Sequence, residues 1–311
     1  MQLLNAVRDP LEYSSLVEKV FAGARTNPSI PLLKQGNFRT VDFMLLVANF
    51  STSGSTNGSA VTRILKKLLD LALVGDLDLG LQGHYPYAWQ RENIETAIQR
   101  DILSNLLRGP SFIVERYRPS VVAIEVVKGR DIHVGTGFFV NSRVHGPVLV
   151  TAKHNVDPDE GVSVRGLVGT SGSHYQIKSE WIRHSTADLA FVPIELRGEP
   201  VPINLASSSE ILEQTITLGF PKVSTADNVY LLAHRGELNA KIKSYQDQSE
   251  YLLISNSVSP GSSGSPVLNT DGEAIGLVVR SLETRHEGGI NMVSSAVPAQ
   301  AIAQFIEKAL G

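Results

Sequence analysis

From about residue 110 onward the chain consists of short apolar runs separated by glycine, proline, aspartate and asparagine. The clearest are VVAIEVV from Val121, TGFFV from Thr136, VLVTA from Val148, DLAFVPI from Asp188, TITLGF from Thr215, YLLIS from Tyr251 and AIGLVV from Ala274. β-Branched and aromatic residues dominate them, as a pleated, half-buried surface favours. Runs this short, at this spacing, specify an all-β sandwich or barrel and exclude a sheet built with crossover helices. The period changes once more at the end. From Pro298, Ile302, Phe305, Ile306 and Leu310 share one face of a closing helix.

Before residue 110 the apolar spacing is helical. Asp9-Pro10 reads as a helix start, with Asp as cap and Pro in the first turn. Leu16, Val17, Val20 and Phe21 form one stripe, and Val61, Ile64, Leu65, Leu68 and Leu69 form another. Trp89, Ile94, Ala97, Ile98, Ile102 and Leu106 predict a further long helix. The small, polar stretch from Ser51 to Ala60 reads as a loop whose last residues cap the next helix. The expectation is therefore two domains: an all-α bundle of about four helices over 1–108, and a β domain over 109–311.

Composition removes several function classes. The net charge is −3, with no basic excess to hold a nucleic acid. The chain has no cysteine, which excludes thiol catalysis and Cys-based metal sites, and leans towards a reducing compartment or a bacterial source. MQLLNAVRDPLEY has none of the marks of a signal peptide. The apolar run FMLLVANF falls short of the roughly 20 residues that span a bilayer. These features predict a cytoplasmic chain without a membrane partner. No cofactor is expected either. Gly135-Thr136-Gly137 begins a strand and reads as close backbone packing, not a nucleotide fingerprint. Asp157 to Gly161, DPDEG, lacks the remaining ligands of a calcium loop and reads as a turn. His133, His145, His174 and His184 are scattered without paired metal spacing, so no metal is expected.

Three segments carry chemistry, in the order His, Asp, Ser. VLVTAKHNV places His154 just beyond a strand, TADLAFVPI opens a strand with Asp188, and SPGSSGSPVLN places Ser263 in a glycine-rich turn. Serine is a poor nucleophile near neutral pH. It needs a base to take its proton, and that base needs a partner that fixes its tautomer. His154 and Asp188 fill those roles. The glycines let a tight turn bring the N–H groups of Gly261 and Ser263 towards a developing oxyanion. Each element alone is unremarkable. Together, each at a strand edge, they predict a Ser-His-Asp triad.

At these residues the C-terminal two-thirds, about residues 115–310, resembles the trypsin/chymotrypsin superfamily, in particular its disulfide-free HtrA-type and glutamyl endopeptidase members. TAKHNV, ADLAFVPI and GSSGSPVLNTDGEAIGLVV carry the resemblance, supported by GTGFFV, TLGFPK and SSAVPA. It implies a chymotrypsin-type double β-barrel with the site between barrels, and a serine endopeptidase acting on proteins or peptides through an acyl-enzyme. By the family pattern the primary pocket is built from Ser257 and Val258, then Val278, Val279, Arg280 and Ser281. Ser257 stands where an acidic residue would select Lys or Arg, so the expected preference is for a modest apolar side chain, with Arg280 at the rim. The helical half resembles the adaptor-like domains fused to such proteases. That implies recruitment of the protease to a protein partner, or its regulation by one; an equal reading of the helical half is a stabilising extension that covers one barrel. The alternative is a latent or non-catalytic protease fold used as a binding module.

Overall fold

The computed structural model describes the chain apart from residues 23–27, 51–57, 78–84, 143–145, 170–172, 199, 224, 246–247 and 287–288, and apart from the side chains of 173–174, 280–286 and 289–293. The described residues form two compact units, Met1–Leu107 and Arg108–Gly311.

The first unit contains helices α1 (Gln2–Arg8), α2 (Pro10–Phe21), α3 (Ile30–Gln35), α4 (Thr40–Asn49), α5 (Gly58–Asp70), α6 (Arg91–Gln99) and α7 (Leu103–Arg108), the last ending on the boundary. Asp9 caps α2 as its sequence predicts, accepting the N–H groups of Leu11 at 2.8 Å and Glu12 at 3.3 Å, with Pro10 in the first turn. Of the polar stretch from Ser51 to Ala60, the first seven residues lie outside the described set, and Gly58, Ser59 and Ala60 open α5.

Three expectations for this unit are corrected. Its described residues form seven helices, not about four, because turns break the apolar stripes into shorter pieces. It is not all-α: strands β1 (Asn37–Phe38), β2 (Val74–Asp76) and β3 (Tyr87–Trp89) form an antiparallel sheet in the order β1-β3-β2. The stripe from Trp89 to Leu106 is not one helix either. Asp101 takes a left-handed conformation, with φ of 55°. Its N–H bonds Ile98 O at 2.9 Å, and the Ile102 N–H bonds Ala97 O at 3.0 Å. That pair of bonds is a helix-ending motif. The apolar period survives the break because both pieces face one core. Phe38, Phe43 and Trp89 meet at its centre, and buried Trp89 Nε1 donates to Tyr13 Oη at 3.0 Å. Burial pushes the Tyr13 phenol up to about 12, against the lowering effects of Trp89 and Arg91.

The second unit begins with a further helix, α8 (Pro110–Tyr117), where the sequence texture suggested strands. Proline occupies the first turn of α8, and Ile113 and Tyr117 point into the core. Then come β4 (Val121–Lys128), β5 (Asp131–Ser142), β6 (Gly146–Thr151), β7 (Val162–Gly169), β8 (Ser173–Ile177), β9 (Ile182–Arg183) and β10 (Ala190–Gly198). They form a seven-stranded antiparallel sheet in the order β7-β4-β5-β6-β10-β8, with β9 also paired to β10. The remaining strands are β11 (Gln214–Gly219), β12 (Leu232–Lys243), β13 (Glu250–Ile254), β14 (Pro266–Leu268), β15 (Ala274–His286) and β16 (Gly289–Pro298). They close into a barrel in the order β11-β12-β13-β16-β15-β14. The expected double barrel is thus one closed barrel and, among the described residues, one sheet whose ring of pairings is not closed.

One apolar core joins sheet and barrel. Phe138, Val150 and Phe191 from the sheet pack with Leu218, Leu268 and Leu277 from the barrel. The closing helix α9 (Ala299–Leu310) adds Ile302 and Ile306, each contributing about 1.5–3 kcal/mol by burial. No described helix is long and apolar enough to cross a membrane.

Candidate active site

His154 lies in a single 3-10 turn, Lys153–Asn155, directly after β6. Asp188 lies two residues before β10, the neighbour of β6 in the sheet. Pairing these strands in antiparallel register brings the end of one beside the start of the other. The Asp188 carboxylate consequently accepts twice from His154: Oδ2 lies 2.7 Å from Nδ1, and Oδ1 accepts the backbone N–H at 3.0 Å. A carboxylate can only accept, so the proton sits on Nδ1 and the Nε2 lone pair is left as a base. Burial alone would depress the imidazole pKa. The hydrogen bond and charge of Asp188, aided by Glu160, outweigh it and raise the pKa above the usual histidine value.

Ser263 sits in the turn between β13 and β14, in the barrel. Two glycines shape that turn. Gly261 and Gly264 have φ of +103° and +91°. A Cβ on the first would collide with Phe220 O, and one on the second with Thr136 O. Only glycine meets both the dihedral and the space. Within the backbone hydrogen bonds of the described residues, neither the Gly261 nor the Ser263 N–H has an acceptor.

The turn is tied to the sheet by residues that the sequence alone did not single out for this role. Thr136 of β5 donates its N–H to Ser263 O at 2.8 Å and its hydroxyl to Gly261 O at 2.7 Å. The same hydroxyl accepts from the Phe220 N–H at 3.0 Å. Asn155, next to His154, donates to Ser263 O at 3.0 Å and to Thr151 Oγ1 at 3.0 Å. The signal was present in the GTGFFV, TLGFPK and KHNV segments, but nothing local says that they meet. Gly135 is in close packing, since a Cβ there would strike the Asn155 amide.

His154 and Asp188 are therefore directly bonded, whereas the Ser263 hydroxyl is turned elsewhere. Its Oγ donates to Val279 O at 3.0 Å instead of to the imidazole. The other sequence-predicted residues scatter. Ser257 is exposed, and Val258 is half-buried against the barrel's own apolar cluster. The Val278 side chain belongs to that cluster, and Val279 is buried in the main core, offering the site its carbonyl and not its side chain. Arg280 and Ser281 are backbone members of β15, and their side chains lie outside the described set. A cleft of about 590 Å³ opens against Pro260 and Gly261. Ile132, His133, Phe220, Lys222 and Val229 line it.

Asp157 caps the Pro158–Glu160 turn and pairs with Lys153 at 3.4 Å and Arg183 at 3.9 Å. No cluster of His, Asp or Glu among the described residues could hold a metal ion. His145 and the His174 side chain lie outside the described set.

Residues 135–277 match the family model of the trypsin-like peptidase domain. Among curated relatives, human serine protease HTRA4 is 29% identical over 62% of this chain and 40% of its own length. Cattle mitochondrial serine protease HTRA2 is 26% identical over 63% of this chain and 42% of its own. The chain thus spans less than half the length of either relative. Among solved structures, the Rv3671c protease of M. tuberculosis in its active form is similar, with 21% identity and a TM-score of 0.48 over 63% of this chain and 83% of that one. The HtrA-type protease AlgW with tripeptide has 16% identity and a TM-score of 0.47 over 64% of this chain and 63% of that one.

Proposed function

We propose that this chain, whose second unit carries a trypsin-like peptidase domain, is a serine endopeptidase that cleaves protein or peptide substrates through an acyl-enzyme on Ser263. The observation that carries the reading is the hydrogen bond from Asn155, the neighbour of His154, to the carbonyl of Ser263 itself. It ties the neighbour of the proposed base to the backbone of the proposed nucleophile, across the sheet and the barrel.

In the reaction, Ser263 exchanges its Val279 acceptor for His154 Nε2 and passes its proton there as Oγ attacks the substrate carbonyl carbon. Asp188 holds the imidazolium through Nδ1–H. The N–H groups of Gly261 and Ser263 receive the oxyanion. His154 then gives its proton to the leaving amine, and water repeats the sequence on the acyl-enzyme. The cleft beside Gly261 takes part of the substrate chain. By the family pattern Ser257, Val258, Arg280 and Ser281 set the side-chain preference, with Val279 contributing its backbone carbonyl, and a modest apolar side chain suits them. The first unit recruits or regulates through a protein partner.

A fluorophosphonate probe tests the reading. The wild-type chain is expected to be labelled and Ser263→Ala is not. A wild type that stays unlabelled across the neutral pH range would overturn it.

A further inference from the structure

The loop that presents Asp188 to His154 is closed by a second histidine. His184 Nδ1 accepts the N–H of Ala187 at 2.9 Å and that of Thr186 at 3.2 Å. Its own N–H donates to Leu189 O at 2.9 Å, while the Leu189 N–H returns to Ala187 O at 2.8 Å. Residues 184 and 189 thus clamp the loop on both sides of Asp188. Backbone N–H groups can only donate, so Nδ1 must carry a lone pair and the ring proton must sit on Nε2. The ring also packs edge-on against Phe305 of α9, with centroids 4.8 Å apart, and Phe305 meets Phe191 of β10 in the same way at 5.1 Å.

We propose that His184 is a positioning residue: as neutral imidazole it holds the loop in the shape that brings Asp188 to His154, and its protonation releases that loop. The proposal rests on the reading of Ser263, His154 and Asp188 as one catalytic unit. A proton on Nδ1 would set a donor against two donors, so both loop bonds would be lost together. The surroundings oppose that proton. Burial lowers the His184 pKa, and the two charges acting on it, Lys308 from α9 and Lys153 from the turn of His154, are both cationic. For a histidine whose folded pKa is depressed, the stabilising contribution is present above the unfolded value of about 6.5. It is lost as pH falls through the lower folded value. His154, shifted upward, titrates first on descending pH and His184 second.

The test is the logarithm of the fluorophosphonate labelling rate of the full chain against pH. Wild type is expected to fall with a slope of about one as His154 protonates, steepening to about two below the ordinary histidine range. His184→Asn keeps an acceptor near Nδ1 but does not titrate, so its slope stays near one. His184→Ala lowers the rate by about ten- to a hundredfold at every pH, the size expected for a misplaced catalytic group. His184→Asn recovers most of that loss. A wild-type slope that never exceeds one, or a His184→Ala rate equal to wild type, overturns the proposal. A second readout does not depend on hydrolysis. In Ser263→Ala, the downfield proton NMR signal of His154 Nδ1–H on Asp188 should vanish when His184→Ala is added and persist with His184→Asn. Its persistence in both overturns the positioning role. Its expected loss in a chain that the probe never labels supports that role and rejects the catalytic one.

Discussion

Asp188 has two acceptor contacts with a single residue, and that geometry sets the pH behaviour of the site. His154 must be neutral to accept a proton, and its pKa is raised. Activity should therefore rise with pH through a midpoint above the usual histidine value of about 6.5. The stability from the same pair runs the other way. It is fully present below the unfolded pKa and is lost as pH rises through the folded one. Asp188→Asn removes the upward influence and leaves burial, which lowers the pKa. The expected result is a fall in kcat of about 10⁴, the size seen for the same change in a known Ser-His-Asp triad, together with a midpoint moved to lower pH. Steady-state kinetics on a peptide substrate from pH 5 to 9 read both, and a near-normal kcat would show that another acid orients His154 (the scan limits are chosen to be about 1.5 or more units to either side of the histidine value).

At the scale of elements, β5 deserves as much weight as the turn that bears Ser263. Thr136 supplies one N–H and one hydroxyl to that turn, and the same hydroxyl receives Phe220 from the end of β11. Thr136→Val keeps the shape but strands the half-buried Gly261 carbonyl and the buried Phe220 N–H. Each such group costs about 1–3 kcal/mol. Urea unfolding should register a loss of that order, and probe labelling should slow at least tenfold. Thr136→Ser retains the hydroxyl and should recover both. Equal stability in Thr136→Val and wild type would mean that the turn is held by its glycines alone. In the first unit, the left-handed Asp101 divides what the apolar stripe presents as one helix. Periodicity reports which face is buried, and a helix-ending turn that keeps the face in phase is invisible to it.

For the whole molecule, the informative fact is that each unit buries its own core. The cluster around Tyr13, Phe38, Phe43 and Trp89 is drawn entirely from residues before Arg108. The cluster joining sheet, barrel and α9 is drawn entirely from residues after Leu107. Excised residues 1–107 should then unfold cooperatively with a thermal transition of their own. A fragment without one would show that the first unit depends on the second. A folded fragment is also the reagent for seeking the protein partner proposed for it.

The sequence alone determined the period of each segment, and with it most strands of the second unit, the closing helix and the three segments bearing His154, Asp188 and Ser263. These are local properties: alternation, capping residues and glycine-rich turns are read within a few residues of chain. Tertiary structure alone decided which distant groups meet. Asn155 and Ser263 are 108 residues apart, and Thr136 and Gly261 are 125 apart. A hydrogen bond at such a separation depends on strand order and register, which no local pattern encodes. The same holds for the acceptor chosen by the Ser263 hydroxyl and for the lone pair that His184 turns towards the Asp188 loop.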